Sequence, residues 1–227
     1  MTANRMEKGF TLIELAVVLV VIGLLLGGLL RPLAAKVEAR KQGETRDLLA
    51  ATREALYGFA MLNGRLPCPD TDGDGRENAG CSTALAVRSG DLPWATLGLP
   101  QGQDAWYQTL RYAVNGAFTD RTTLAGTLPD PATWAGWTSV LAVYDGDTGN
   151  CTAGTLLAAN VPALVLSTGK PKVAGQTGPD ERENTDNDAC FVSRAPGDVA
   201  GDEYNDQLAW LSPHVLFQRL VAAGQLP

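Results

Sequence analysis

The feature that most constrains this chain is an apolar segment close to its amino terminus. Residues 10–30 have the sequence FTLIELAVVLVVIGLLLGGLL, in which Glu14 is the only charged residue. As an α-helix this segment would be about 32 Å long, enough to cross the roughly 30 Å hydrocarbon layer of a bilayer. The sequence therefore predicts a membrane-inserted helix over residues 10–30.

The flanks of this segment are unlike those of a secretory signal peptide. A polar leader, residues 1–9, precedes it, and a charged segment, residues 31–41, follows it directly. A signal peptide has a shorter apolar region that ends in a small-residue cleavage site, so we expect the span to stay in the chain. The leader has two basic residues against four in the second flank, which alone would place the remainder in the cytoplasm. The four cysteines favour the opposite, oxidising side, and we follow them.

The boundary between leader and span carries a short motif. The sequence KGFTLIE at residues 8–14 resembles the processing site of type IV prepilins and of the pseudopilins of type II secretion. The resemblance implies that a prepilin peptidase cleaves between Gly9 and Phe10 and methylates the new terminus at Phe10. It also implies a single-pass protein of the inner membrane, with its leader in the cytoplasm and its globular part in the periplasm.

Glu14 is the one carboxylate inside the apolar segment. A charged group at the centre of a bilayer costs about 2.5–3.5 kcal/mol and by default marks a functional site. Glu14 is four residues from the amine that cleavage would expose at Phe10. In a polymer, Glu14 of one subunit would neutralise the Phe10 amine of its neighbour in a dry environment, where such a pairing is strong. We therefore assign Phe10 and Glu14 to assembly.

The resemblance implies a structural protein and not an enzyme. The expected function is a subunit of a type IV pilus or pilus-like filament, formed as a homopolymer or with other pilins by an assembly platform in the inner membrane. The filament would be extracellular or periplasmic, and a pilus would serve cell adhesion. A minor pilin and a secretion pseudopilin stay open as alternatives. So does a different class, a membrane-tethered binding protein or enzyme whose calcium-stabilised head acts alone.

The helical pattern continues beyond the apolar segment. Apolar residues recur at spacings of three and four, which predicts one long helix over residues 10–62. Pro32, at the end of the apolar run, predicts a kink or local melting there. The predicted domains are the leader, this helix and a globular head, residues 63–227.

The head has short apolar runs separated by Gly, Pro, Asn and Asp. This pattern predicts strands, and the carboxyl-terminal residues predict a closing helix. The expected fold class is α+β, a pilin-like arrangement in which the long helix lies across an antiparallel sheet. The predicted strands are residues 112–118, 140–144 and 161–167, and the predicted helix is residues 214–223.

The charge of the chain argues against nucleic acid as a partner. The formal net charge is −7, and residues 61–227 hold ten Lys and Arg against nineteen Asp and Glu. Such a surface repels phosphate backbones. Thirteen of the nineteen acids lie in three windows, residues 70–77, 180–188 and 198–206, which suggests cation sites rather than a diffuse acidic surface.

The first window has the spacing of a calcium loop. Residues 70–78 have the sequence DTDGDGREN, which matches the pattern D-x-D-x-D-G-x-x-N. Alternating carboxylates, a turn-forming glycine, a backbone carbonyl and an amide oxygen are ligands that suit Ca²⁺. The alternative is that Asp and Gly merely favour a solvated turn. The other two windows have no regular ligand spacing. The predicted ligands are Asp70, Asp72, Asp74, Arg76 through its carbonyl, and Asn78.

The four cysteines allow three disulfide pairings. We favour Cys68 with Cys81, which closes a loop around the Asp70 window, and Cys151 with Cys190. Zinc is disfavoured because the chain has no Cys-x-x-Cys pair and only one histidine, His214.

Motifs for catalysis or ligand binding are weak in the head. The Ser212-Pro213-His214 sequence has no nucleophile-elbow motif with it, and Ser167 to Lys170 lacks the upstream glycine of a phosphate loop. An aromatic group could form a sugar-binding platform, but its apolar neighbours favour core packing. The group comprises Trp94, Trp106, Tyr107 and Tyr112.

Overall fold

The structure is a computed structural model. It describes residues 9–81, 86–126, 139–146, 154–172 and 177–226, with the side chains of residues 25–32 outside the description. The chain divides between Lys41 and Gln42 into two compact units, an amino-terminal unit and a carboxyl-terminal unit.

One helix, α1 (Leu12–Asn63), takes up 52 residues. It continues without interruption through Pro32, so the local melting expected there is absent from the described backbone. The helix ends where Gly64 has a φ of 68° and its amide donates to the carbonyl of Ala60 at 2.8 Å. Glycine adopts this left-handed stop at low cost. The residues of α1 from Gln42 onward belong to the carboxyl-terminal unit.

The remaining elements are short. The described helices that follow are α2 (Arg121–Gly126), α3 (Pro179–Glu183) and α4 (Pro213–Ala222). The described strands are β1 (Val87–Asp91), β2 (Arg111–Asn115), β3 (Ala142–Tyr144), β4 (Leu156–Ala158), β5 (Ala163–Ser167), β6 (Cys190–Val192), β7 (Gly197–Val199), β8 (Asp202–Tyr204) and β9 (Gln207–Trp210).

Four of these strands form the main sheet. Their order is β1-β2-β5-β9, and every neighbouring pair is antiparallel. A smaller sheet has the order β4-β3-β6, in which β3 pairs antiparallel with β4 and parallel with β6. Strands β7 and β8 form an antiparallel pair. The long helix and the antiparallel main sheet confirm the α+β fold class predicted from the sequence.

The two faces of β5 pack into different hydrophobic clusters. Val165 lies in the cluster that contains Leu56 of α1 and Leu216 of α4. Leu164 lies in the cluster that contains Phe191 of β6. Because successive side chains of a strand point to opposite faces, α1 and α4 cover one face of the main sheet and the smaller sheet covers the other.

All three predicted strands are shorter in the structure, and the one predicted at residues 161–167 is β5. Strand β2 ends at Asn115 rather than at residue 118, because the Asn115 side-chain oxygen accepts a hydrogen bond from the amide of Ala117 at 3.0 Å. This bond caps a short 3-10 turn, Gly116–Thr119, which ends the extended backbone. The strand predicted at residues 140–144 is the shorter β3, which lies in the smaller sheet.

Membrane insertion was predicted from the sequence alone. In the part of the chain that the structure describes, no helix combines the length and the hydropathy that a bilayer crossing requires.

Leu56 offers a direct test of how α1 contributes to the core. Its side chain is 0% exposed, whereas Leu62 on the same helix is 81% exposed. We expect Leu56→Ala to lower the free energy of unfolding by about 2–5 kcal/mol, through lost burial and the cavity left behind. Denaturant unfolding of the full chain in nonionic detergent measures this. The matched control, Leu62→Ala, is expected to change stability by less than about 0.5 kcal/mol; equal losses for both variants would contradict the packing described.

Candidate functional site

The Glu14 carboxylate caps the start of α1. Its Oε2 accepts hydrogen bonds from the Thr11 amide at 3.1 Å and from Thr11 Oγ1 at 3.0 Å. Thr11 Oγ1 in turn accepts a hydrogen bond from the Glu14 amide at 3.3 Å. This reciprocal pair is a capping box, which satisfies amide groups that a helix start leaves without partners. The sequence analysis missed this role, although Thr-x-x-Glu before an apolar run is its signal.

The apolar side chains of the first turns of α1 are exposed. From Leu12 to Ile22, every large apolar side chain has at least 45% of its surface accessible, and Leu12 reaches 89%. Because these residues are nearly consecutive, they lie on all sides of the helix. A helix that is apolar all round is one that a larger assembly or a membrane buries.

The predicted processing residues, Gly9 and Phe10, precede α1 and are exposed. A Cβ atom added to Gly9 would meet no other atom within 4 Å. Packing within the chain therefore does not explain a glycine at this position. The rest of the predicted leader, residues 1–8, lies outside the described residues.

The Asp70 loop brings three of its predicted ligands together. One carboxylate oxygen each from Asp70, Asp72 and Asp74 lies within 4.8 Å of the others. Asp72 and Asp74 are exposed, whereas Asp70 is buried. Three negative groups at this spacing repel one another unless a cation or solvent screens them.

Asp70 organises the backbone of the loop. Its Oδ1 accepts hydrogen bonds from the amides of Asp72 at 3.1 Å and Gly73 at 2.8 Å, and its Oδ2 accepts one from Gly75 at 2.7 Å. Burial acts to raise the pKa of Asp70, but these amide donors outweigh it and hold the pKa below its ordinary value. The ionised carboxylate is therefore part of the folded loop.

A glycine in the loop is required by a close contact. Gly75 has a φ of 81°, and a Cβ atom there would lie 2.5 Å from the Trp94 indole. Its carbonyl also accepts a hydrogen bond from the Ala95 amide at 2.7 Å. The loop is thus packed against the rest of the head rather than projecting freely.

Two further predicted ligands have other contacts in the structure. Asn78 Oδ1 accepts a hydrogen bond from the Thr71 amide at 2.6 Å, and Asn78 Nδ2 donates to Asp72 Oδ2 at 3.0 Å. The Asn78 amide therefore presents nitrogen rather than oxygen to the carboxylates. The Arg76 amide donates to Asp74 Oδ1 at 2.7 Å.

The predicted disulfide between Cys68 and Cys81 is present. Next to it, Glu77 forms a two-bond ion pair with Arg65, at 2.7 and 2.8 Å, and also accepts a hydrogen bond from the Cys68 amide at 3.0 Å. Both ends of the Asp70 loop are thus attached. Cys190 is disulfide-bonded, but Cys151 lies outside the described residues, so the pairing of these two stays a prediction.

The second and third acidic windows serve mainly as structural partners. Asp180 pairs with Arg194 at 2.5 Å, and Arg194 also reaches Asp202 at 2.6 Å. Glu181 forms an ion pair with Lys172. These contacts connect α3 to β8 and to the segment after β6. The carboxylates of Glu183, Asp186 and Asp188 also converge within 4.8 Å.

Asp206 is a buried carboxyl group in this region. It is 4% exposed, and its Oδ2 accepts a hydrogen bond from Asn184 Nδ2 at 2.9 Å. The pKa of Asp206 is raised to about 7, chiefly because the carboxyl group is buried; the Asn184 hydrogen bond opposes the increase and the nearby Glu181 charge adds to it. The sequence alone gave no signal that Asp206 is buried while Asp198 and Asp202, in the same acidic window, are exposed.

The remaining motifs have structural explanations. Ser167 is fully buried, where its Oγ donates to Asp104 Oδ2 at 2.6 Å and accepts from the Gly169 amide at 3.1 Å. His214 is the second residue of α4. Of the aromatic group, Trp106 and Tyr112 are buried and Trp94 packs against the larger core, while Tyr107 is exposed.

Comparison with known families concerns the amino terminus. Residues 4–30 match the prokaryotic N-terminal methylation motif. This motif is the signature of prepilin-type sequences, those of type IV pilins and pseudopilins, and it confirms the resemblance found at residues 8–14. Searches of curated proteins and of solved structures find no significant match to this chain. The chain therefore carries the signature of a type IV pilin-like or pseudopilin protein, a structural class rather than an enzymatic one.

The raised pKa of Asp206 predicts a pH-dependent stability. Between pH 4 and 7 the folded chain keeps a proton that the unfolded chain, with an ordinary pKa of 3.8, has lost. The folded state therefore loses stability as pH rises, by at most about 4 kcal/mol, with little further loss above pH 7. We expect Asp206→Asn, which keeps the acceptor for Asn184, to flatten this slope in melting curves recorded from pH 5 to 8.

The exposed Asp198 provides the control. Asp198→Asn should leave the pH profile of the melting temperature as it is in the unsubstituted chain. Parallel profiles for the unsubstituted chain and Asp206→Asn would show that Asp206 is ionised in the folded state.

Proposed function

We propose that this chain is a structural subunit of a type IV pilus or pilus-like filament. In this proposal a prepilin peptidase cleaves between Gly9 and Phe10, the head faces the periplasm, and the subunit enters the filament through the first half of α1. The assembly partners are further copies of the chain or other pilins, joined by an inner-membrane platform. The observation that carries the proposal is the exposed apolar first part of α1, which lies within the residues that match the methylation motif.

The exposed apolar side chains of α1 favour two successive environments that exclude water. Full burial of a Val, Leu or Ile side chain is favourable by roughly 1.5–3 kcal/mol of free energy relative to leaving it exposed. Such a surface is therefore unstable in water, and a membrane can cover it before assembly and neighbouring helices afterwards. The amino-terminal unit, which ends at Lys41, is the part of the chain available for both.

Glu14 has two separable properties in this proposal. Its oxygen accepts hydrogen bonds that cap α1, and its charge would pair with the Phe10 amine of the neighbouring subunit. Glutamine can serve in a capping box as glutamate does, but it carries no charge. Substitutions at Glu14 and Thr11 can therefore separate capping from charge pairing.

We expect Glu14→Gln to abolish or strongly reduce filaments, because the cap is kept and the charge is lost. Thr11→Ala removes the hydroxyl contacts of the cap, at a cost of about 1 kcal/mol, and should leave filaments in near-normal amounts. The measurement is electron microscopy of filaments sheared from cells, with mass spectrometry of processed subunits in the membrane to show that each variant is made and cleaved.

The reverse result would contradict the charge pairing. Filaments with Glu14→Gln but none with Thr11→Ala would make the helix cap, not the charge, the requirement. Filament assembly unaffected by either substitution would favour the tethered protein that acts alone. The share of this chain in sheared filaments separates a major pilin from a minor pilin or a secretion pseudopilin.

The Asp70 loop forms a second part of this proposal, in which it binds calcium and holds the surface of the head in order. The convergent oxygens of Asp70, Asp72 and Asp74 support it, and the Arg76 carbonyl and the Asn78 oxygen are the further predicted ligands. Because Asn78 now donates to Asp72, this hydrogen bond would have to break for Asn78 to become a ligand.

Calcium titration of the full chain in nonionic detergent tests this. We expect binding heat and a higher melting temperature, with about 2.7 kcal/mol of stabilisation when free calcium is 100 times its Kd. Asp72→Asn should remove most of the effect, while Asp198→Asn, outside the loop, should not. If calcium gives no binding heat and chelation leaves the melting temperature unchanged, calcium has to be removed from the proposal.

A further inference from the structure

A groove lies along the outer edge of the main sheet in the carboxyl-terminal unit. It has a volume of about 410 Å³ and runs between α1, strand β9 and the segment after β6. Apolar atoms of Leu49 and Ala209 are among those that line it, and three arginines line it as well, Arg46, Arg53 and Arg194. Asp206, which is buried, is the one carboxyl group among the described residues that line it.

Strand β9 presents unpaired backbone groups along this groove. It is the last strand in the order β1-β2-β5-β9. The Leu211 amide donates to the Ala163 carbonyl of β5, and hydrogen-bonded residues alternate in an antiparallel pair. Ala209 and Gln207 therefore bond to β5, whereas the amides and carbonyls of Leu208 and Trp210 point outward. No hydrogen bond joins these outward groups to another described residue.

Two of the arginines are available to a ligand. Arg194 is held by Asp180 and Asp202. Arg46 and Arg53 form no ion pair or hydrogen bond within the described ranges. They are seven residues apart on α1, which places them on the same face of the helix and about 10.5 Å apart along its axis.

We propose that this groove binds an extended, acidic peptide segment of a partner protein. The segment adds to the main sheet as a strand beside β9, through the outward backbone groups of Leu208 and Trp210. Every second side chain of that strand lies on the α1 side of the sheet, where carboxylates meet Arg46 and Arg53. Backbone pairing with β9 positions the bound segment, and the charges of Arg46 and Arg53 favour segments with acidic residues.

The open strand edge distinguishes a peptide from a nucleic acid. A nucleic acid would use the arginines but has no peptide groups to pair with β9. The acidic surface of the head would also repel a long phosphate backbone, whereas a short acidic segment can be confined to the groove.

Peptide binding to the full chain in nonionic detergent tests the proposal, with fluorescence anisotropy as the readout. The probe is a short labelled peptide in which Glu alternates with Thr. Three comparison probes remove one property each: Gln in place of Glu removes the charge, Pro in place of Thr removes strand pairing, and a single-stranded oligothymidylate replaces the peptide backbone. We expect measurable binding of the Glu-Thr peptide alone, weakened by added salt.

Arginine variants locate the binding. Arg46→Gln and Arg53→Gln should each weaken binding about fivefold. Arg182→Gln, an exposed position on α3 outside the groove, is the matched control and should not change the Kd. Binding should also slow amide hydrogen exchange in the segment containing β9, which ionic attraction elsewhere on the surface would not do.

Several outcomes would overturn the proposal. These are no detectable binding, equal binding of the Pro-containing peptide, tighter binding of the oligothymidylate, or an unchanged Kd in both groove variants. If a higher concentration of the chain displaced the labelled peptide instead of binding more of it, a second copy of the chain would be the occupant of the groove. That result would also overturn the proposal.

Discussion

Strand β5 has to bury both of its faces, and the carboxyl-terminal unit is arranged around that requirement. Its residues, Ala163–Ser167, are all buried, so neither face can be left to water. The second half of α1, together with α4, covers one face, and β3 and β6 cover the other. The apolar positions of α1 after Gln42 are spaced for this contact, whereas the large apolar side chains described before it, from Leu12 to Leu24 and at Leu33 and Val37, are exposed.

The charged residues of the head follow from the same packing. Once the elements around β5 are in place, acids that are close in sequence end in different environments. Asp180 and Glu181 are buried against Arg194 and Lys172, while Asp198 is exposed. The acidic windows therefore divide by environment, although carboxylates converge both in the Asp70 loop and at Glu183, Asp186 and Asp188.

Sequence reasoning reached what local pattern determines. The methylation motif, the long helix, the α+β class and the Cys68–Cys81 disulfide all follow from residues near one another in the chain. The parallel pairing of β3 with β6, the burial of Asp206 and the groove beside β9 depend on which distant segments meet, and no local pattern states that. The capping box of Thr11 and Glu14 is different. Its local signal, Thr-x-x-Glu before an apolar run, is present in the sequence, but Glu14 was assigned to subunit assembly instead.

The position of that capping box has a consequence for the proposed processed chain. Cleavage after Gly9 would leave a single residue, Phe10, before the cap at Thr11, and would put a positive amine beside the positive end of the α1 dipole. Like charges there cost roughly 0.3–1 kcal/mol, so the new terminus would favour fraying of the first turn until a carboxylate approaches. If a neighbouring subunit brings its Glu14 to this amine, the helix start would become ordered as the two subunits join. Fraying of the first turn would then be coupled to polymerisation.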